Sequence, residues 1–275
     1  MKRFLLLGEN VAHSLSPALH QNAYVQLGVE ATYEARSISM RDLGGYVNDM
    51  RAGVWAGINV TAPLKFAASA LCDREEGPVV NTLWRGLDGA VCGANTDIAG
   101  LAAMLAKNLH VASMEDVRPA KAYVLGAGAT ALSAVEALRA AGFVRVVVVA
   151  RDVARAERVL DRIGGAAVVA WGACSVVGSA VVVQASSAQG DEPLEALSWE
   201  SSTARPVVID VRYGANASLF AERLRGMGYV AHTGERMLAV QAAEAVQKWF
   251  GVYVDAERMG LAAFAEAWPV AHNAF

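Results

Sequence analysis

Residues 121–150, KAYVLGAGATALSAVEALRAAGFVRVVVVA, constrain this chain more than any other stretch. An apolar run enters the turn Gly126-Ala127-Gly128-Ala129-Thr130. An alanine-rich segment over 129–142 then reads as a helix closed by Gly142, and the run 144–150 reads as the next strand. Strand, glycine turn, helix and strand in succession build a parallel sheet. The first glycine permits a tight turn. The second lets a pyrophosphate approach the backbone, where the helix N-terminus meets its charge. A strand–helix turn without ligand is the alternative, and the flanking strands and helix favour dinucleotide binding over it.

The rest of the chain alternates in the same way. Strands are expected at 3–8, 31–37, 56–61, 166–170, 180–184, 206–211 and 229–232. A hairpin over 80–84 and 89–92 turns at Gly86–Gly89. Helices are expected at 17–27, ending at Gly28, and at 41–51, 98–109, 216–226, 236–249 and 254–267. A second unit begins near residue 118. The fold class is therefore α/β in two domains, an N-terminal α/β domain and a Rossmann-type domain, with the C-terminal helices returning to pack on the first. A composition of 55% hydrophobic and 19% charged residues supplies both cores.

Composition also excludes function classes. The net charge of -3 gives no reason to expect a nucleic-acid partner. Apolar runs stop at strand length, far from the ~20 residues of a membrane span. The N-terminal MKRFLLLGEN has an apolar stretch of four residues and reads as a first strand rather than a secretory signal. Cys72, Cys92 and Cys174 are widely spaced and form no CxxC pair, so neither a disulfide frame nor a zinc site is expected, and a cytoplasmic location fits. His13 and His20 lack metal spacing, and His110, His232 and His272 are scattered, so no metal site is predicted.

The end of the second strand of the glycine-turn unit should carry the ribose partner. An acid about 20 residues past the glycines suits NAD. The chain has Ala150-Arg151-Asp152 there. The planar guanidinium of Arg151 suits a 2′-phosphate, with Arg155 as a second cation. Asp152 could instead accept from a 2′-hydroxyl. NADP is the expectation and NAD stays open. Under NADP, Arg151 faces the phosphate and Asp152 faces solvent or caps the following helix.

Three segments carry chemistry in the first domain. Residues 13–17 read His-Ser-Leu-Ser-Pro. Ser14 and Ser16, two apart in an extended segment, can point hydroxyls the same way and grip a carboxylate near a helix start. Ser16 also suits a helix cap before Pro17. Residues 59–65 read Asn-Val-Thr-Ala-Pro-Leu-Lys, and 94–97 read Ala-Asn-Thr-Asp. Together with VVNTL (79–83), the GAGAT turn and MLAVQAA (237–243), these segments stand in the order and spacing of the shikimate dehydrogenase family, which the chain resembles over nearly its whole length.

That resemblance implies a substrate-binding domain over 1–104 and 236–275 and an NADP-binding domain over 105–235. It implies that Ser14, Ser16 and Tyr213 meet the substrate carboxylate. Thr61, Asn81 and Gln241 would meet ring hydroxyls or neighbouring polar atoms, and Lys65 and Asp97 would form the catalytic pair. Gly126, Ala127, Gly128, Ala129, Thr130, Arg151, Asp152, Arg155 and Gly234 would line the cofactor. The implied activity is reversible reduction of 3-dehydroshikimate to shikimate with NADP, in the aromatic amino acid (chorismate) pathway, by a monomer or homodimer. The chemistry agrees: oxidising an alcohol needs a base for its proton as hydride leaves, and a suitably placed lysine can serve. Asp97 could orient the hydroxyls, hold the ammonium and cap the helix after it. An NAD-preferring quinate/shikimate dehydrogenase and a non-catalytic shikimate-binding homologue are the alternatives. The chain departs from the family pattern at Ala129, at Ala150 and Asp152, and in the loop Gln184-Ala185-Ser186-Ser187, all in the cofactor domain.

Overall fold

The computed structural model describes residues 1–109, 120–199 and 205–267. The described residues divide into two units, 1–100 with 238–267, and 101–237. The start expected for a second unit near residue 118 lies outside the described residues, as do His110 and His272.

The strands are β1 (Lys2–Gly8), β2 (Ala31–Ser37), β3 (Gly57–Val60), β4 (Arg74–Glu75), β5 (Thr82–Arg85), β6 (Val91–Ala94), β7 (Lys121–Leu125), β8 (Arg145–Ala150), β9 (Ala167–Ala170), β10 (Cys174–Ser175), β11 (Ser179–Gln184), β12 (Leu197–Ser198), β13 (Val207–Asp210) and β14 (Ala231–His232). The helices are α1 (Ser16–Leu27), α2 (Leu43–Arg51), α3 (Lys65–Ser69), α4 (Asp97–Asn108), α5 (Ala129–Ala140), α6 (Val153–Leu160), α7 (Ala215–Gly226), α8 (Glu235–Phe250) and α9 (Ala256–Ala267).

In the first unit β1 carries Phe4-Leu5-Leu6-Leu7, all buried. Successive side chains of a strand point to opposite faces, so such a run belongs inside a sheet covered on both sides. Phe4 and Leu6 join a core with Leu19 and Tyr24 of α1, Ala242 and Val246 of α8, and Met259 and Phe264 of α9. Leu5 and Leu7 join another with Leu43, Val47 and Met50 of α2. The sheet order is β2-β1-β3-β5-β6-β4. Strand β1 runs parallel to β2 and β3, whereas β3–β5 and β5–β6 are antiparallel. The C-terminal helices do return to the first unit, where α9 packs on α1 and Asn22 Nδ2 reaches the Met259 carbonyl at 3.5 Å.

The second unit has a six-stranded, wholly parallel sheet in the order β14-β13-β11-β7-β8-β9, and β10 pairs with β12 beside it. Strand order reverses at β7, which has β8 on one side and β11 on the other. A ligand crevice belongs outside the carboxyl end of a strand at such a switch point. Val148, Val149 and Ala150 are buried in succession, as a strand covered on both faces requires. Among the described residues no helix is long and apolar enough to cross a membrane.

Several boundaries depart from expectation. The helix expected over 41–51 opens as a 3-10 turn, Met40–Asp42, closed by a capping box between Ser39 and Asp42. Helix α3 has no counterpart among the expected elements, because five residues are too few to show a helical period. Helix α1 begins at Ser16 with Leu15 at the cap position, so Ser16 is not the cap. Leu15 already has helical dihedrals, and the Ser14 hydroxyl accepts from the Ser16 N–H at 3.2 Å.

Candidate active site

Sheet topology gathers the chemistry-bearing residues of the first unit. Lys65 follows β3, Asn81 precedes β5 and Asp97 follows β6. Because β5 runs antiparallel to both β3 and β6, these three positions lie at one end of the sheet. The backbone joins them there: Val80 N–H donates to the Lys65 carbonyl at 3.2 Å, and Asn81 N–H to that of Ala94 at 3.1 Å. Thr61, in the turn before α3, donates its N–H to Leu7 at 2.9 Å and accepts from Leu64 at 2.8 Å. The Ala62–Pro63 bond in this turn is cis. Gly8 closes the turn from the other side, where a Cβ would stand 2.5 Å from the Thr61 methyl carbon.

The ammonium of Lys65 is hydrogen-bonded to Asp97 Oδ2, with side-chain exposures of only 7% and 6%. Lys65 is therefore a buried ion-pair partner rather than a solvated lysine. A pair so desolvated is costly to break, about 3–5 kcal/mol when one partner is removed. The other carboxylate oxygen, Oδ1, accepts from Asn81 Nδ2 at 2.9 Å. Asn81 Nδ2 also reaches Thr96 Oγ1 at 3.0 Å and Gln241 Oε1 at 3.5 Å, while Asn81 Oδ1 accepts from the Thr96 N–H at 2.8 Å. Gln241, on α8, donates Nε2 to the Leu238 carbonyl at 3.0 Å. Both oxygens of Asp97 are thus committed to groups of the site.

Ser14 and Ser16 present hydroxyls side by side, Oγ to Oγ 3.2 Å. Their convergence does not come from an extended segment. Ser14 N–H closes a turn on Val11 at 3.1 Å, and Ser16 is the first residue of α1. A turn running into a helix brings residues i and i+2 together where a strand would separate them along its length.

The second unit carries the remaining residues. Gly126 has φ +102°, and a Cβ there would lie 2.7 Å from Ser186 Cα, so the turn demands glycine. A Cβ at Gly128 would meet nothing within 4 Å. Gly128 is the N-cap of α5 and makes no side-chain cap hydrogen bond. Ala127, Ala129 and Thr130 complete the turn and the first residues of the helix. An open glycine cap at the start of a 12-residue helix fits a pyrophosphate. Asp152 caps α6, accepting from the Arg155 N–H at 2.9 Å. Arg151 lies over the Trp171 ring, 4.9 Å from its centroid, and pairs with Glu192. Arg155 is exposed on the first turn of α6. Gly234 lies against the backbone of Val211 and Arg212, where no Cβ fits, and donates its N–H to Arg212 at 2.7 Å. Tyr213 follows a tight fork in which Arg212 Nη2 holds Asp210 Oδ2 at 2.6 Å and Nη1 reaches the Ala188 carbonyl at 2.6 Å. Burial still pushes the Asp210 carboxyl above its ordinary value, against the pull of Arg212.

Residues 6–81 match the family described as "Shikimate dehydrogenase substrate binding domain", and residues 108–191 match "Shikimate / quinate 5-dehydrogenase". A "Shikimate dehydrogenase (NADP(+))" from Mesorhizobium japonicum is 33% identical, covering 91% of this chain and 91% of its own. The chain belongs to the shikimate dehydrogenase family. A protein of the same name from Chelativorans sp. is 34% identical over 92% of this chain and 91% of its own. The shikimate 5-dehydrogenase from Thermus thermophilus, solved with NADP(H) and shikimate, superposes with a TM-score of 0.80 at 32% identity, covering 96% of this chain and 98% of that one.

Sequence reasoning assigns no role to several groups of this shikimate dehydrogenase family member. Thr96 stands inside the quoted Asn-Thr-Asp segment, yet only the fold shows it bridging Asn81 and Gln241 (Oγ1 to Gln241 Oε1, 3.4 Å). Gln184 is fully buried and returns its amide onto its own loop, accepting from Ser186 N–H at 3.0 Å. The Arg212–Asp210 fork has a signal in the charged pattern of IDVRYG, but its geometry does not.

Proposed function

We propose that this protein interconverts shikimate and 3-dehydroshikimate with NADP, in the aromatic amino acid (chorismate) pathway. The observation that carries this reading is the buried Lys65–Asp97 pair braced by Asn81 at one end of the first sheet. The first unit holds the substrate and the second the cofactor. When bound, NADP supplies the hydride acceptor. During oxidation Lys65 as the free amine takes the hydroxyl proton and becomes the ammonium that Asp97 holds; during reduction that ammonium returns the proton, and Asp97 orients the reacting hydroxyl. Ser14 and Ser16 take the carboxylate. Thr61, Asn81 and Gln241 take the ring hydroxyls.

NADP is favoured over NAD by what Asp152 does. A carboxylate spent on the helix cap is turned to its own backbone, which leaves the strand end to Arg151. The Arg151–Glu192 pair is exposed, 52% and 41%, and such pairs contribute only about 0–1 kcal/mol. A 2′-phosphate carries more charge and more acceptor oxygens than the Glu192 carboxylate, which favours the exchange at this guanidinium. The reading carries with it a cytoplasmic location and a monomer or homodimer, which fractionation and light scattering check. Absorbance at the nicotinamide band, with shikimate and quinate each against NADP and NAD, tests the whole. Turnover with shikimate and NADP supports it, and a preference for NAD with quinate replaces it.

A further inference from the structure

Behind the Lys65–Asp97 pair runs a file of buried polar side chains, Tyr33, Asn59 and Thr82, with relative exposures of 8%, 5% and 0%. We propose that these three are positioning residues for the reaction, fixing the amide of Asn81 and through it the carboxylate of Asp97. The proposal rests on the dehydrogenase reading above.

The direction of each hydrogen bond decides the next. The Tyr33 hydroxyl donates to Asn59 Oδ1 at 2.8 Å. The Asn59 amide must then present its NH₂ the other way, and it donates to Thr82 Oγ1 at 2.9 Å and to the Asn81 backbone carbonyl at 3.2 Å. A hydroxyl that accepts from Asn59 still has one proton to place. Thr82 has Asn81 Oδ1 at 3.0 Å and Thr96 Oγ1 at 3.2 Å within reach, and because the Thr96 hydroxyl itself stands 3.1 Å from Asn81 Oδ1, either placement of the Thr82 proton leads to that oxygen. With its oxygen held by Thr82 and by the Thr96 N–H, Asn81 has only its NH₂ to offer Asp97 Oδ1. A flipped Asn81 amide would set oxygen against carboxylate and donor against donor.

Sheet register builds this file. Asn59 and Thr82 are direct partners across the antiparallel pair β3–β5, so their side chains stand on the same face. The ring of His20 lies flat on that of Tyr33, centroids 4.0 Å apart and planes 10° from parallel, which fixes the plane in which the hydroxyl sits. Well-packed apolar residues at these buried positions would serve the sheet about as well, and a polar network holds its place there only when every member is satisfied. In this file each amide and hydroxyl has its partner, and the last partner is the carboxylate that grips Lys65.

The test uses the full chain with shikimate and NADP, comparing Thr82→Val, Thr82→Ser and Tyr33→Phe with the unmutated protein. Removing one buried hydrogen-bond partner from a positioning file should lower kcat about ten-fold in Thr82→Val and roughly three-fold in Tyr33→Phe, with KM for shikimate within about three-fold. Thr82→Ser keeps the hydroxyl and should return kcat to within about two-fold. A merely structural role would lower the unfolding temperature and leave kcat alone, or raise KM alone, and either result overturns the proposal. If Thr82→Val fails to fold, Tyr33→Phe decides by the same kcat rule. No turnover in the unmutated protein overturns the dehydrogenase reading and this proposal together, whereas turnover that survives undiminished in the variants overturns this proposal alone.

Discussion

At the scale of single residues, burial decides what a charge can do. Lys65 and Asp97 are ordinary surface residue types, but here each is the other's counter-ion in a site with little water. Lys65→Met keeps the volume and removes the amine. It should lower kcat by ~10²–10⁴ while KM for shikimate changes little, read in steady-state assays. Ser16 is buried beside Ser14, so Ser16→Ala should weaken substrate use about ten-fold through the lost bond to a carboxylate. Kinetics with shikimate check this, and unchanged constants would remove Ser16 from the site. Arg151→Ala should raise KM for NADP strongly and leave KM for NAD nearly untouched. Glu192→Gln frees the same guanidinium and should tighten binding of 2′,5′-ADP but not of 5′-AMP, measured by calorimetry.

At the scale of elements, the glycine-turn unit is legible in the sequence nearly whole. Strand β7, helix α5 and strand β8 fall within two residues of their expected ends, because a β-branched run, an alanine-rich run and a glycine turn are local signals. The start of α1 is harder to read, because a serine before proline looks like a cap. Whether Leu15 turns into the helix first is set by the turn that Ser14 closes on Val11. Asp152 is ambiguous in the same way, a cap or a ribose ligand by residue type alone. Its hydrogen bond to the Arg155 N–H settles the cap. Asp152→Ala should therefore cost about 0.5–2 kcal/mol of stability by losing the cap, and leave the NADP-to-NAD ratio of specificity constants almost unchanged. Denaturant titration and cofactor kinetics on one variant read both halves.

At the scale of the molecule, the first unit has closed its core over a histidine. His20 is fully buried among Tyr33, Tyr24 and Trp249. Burial pushes its pKa down to about 3, against a weaker upward pull from Asn59, whose amide is already committed to Tyr33, Thr82 and Asn81. Neither ring nitrogen has a hydrogen-bond partner among the described residues. The folded chain keeps this ring neutral where the unfolded chain protonates it. Between the ordinary value of 6.5 and about 3 the unfolded state binds more protons, so stability is full above that window and falls as pH drops through it. The loss is about 1.4 kcal/mol per pH unit. His20→Phe keeps the stack and cannot titrate. Urea unfolding at neutral and mildly acidic pH should show the unmutated chain losing about 2 kcal/mol more than the variant over ~1.5 pH units, and equal losses would reject the assignment.

The sequence by itself determined the α/β class, the order of most elements, the glycine turn and the segments that carry Lys65, Asn81 and Asp97. These are local signals, carried by runs of like residues, turn formers and short motifs. Only the tertiary structure decided that Lys65 meets Asp97 across 32 residues, that Gln241 arrives from 145 residues beyond Thr96, and that Tyr33, Asn59 and Thr82 line up behind them. Strand order and register bring those groups together. Both follow from which hydrophobic faces bury which, so neither is written in any one stretch of the chain.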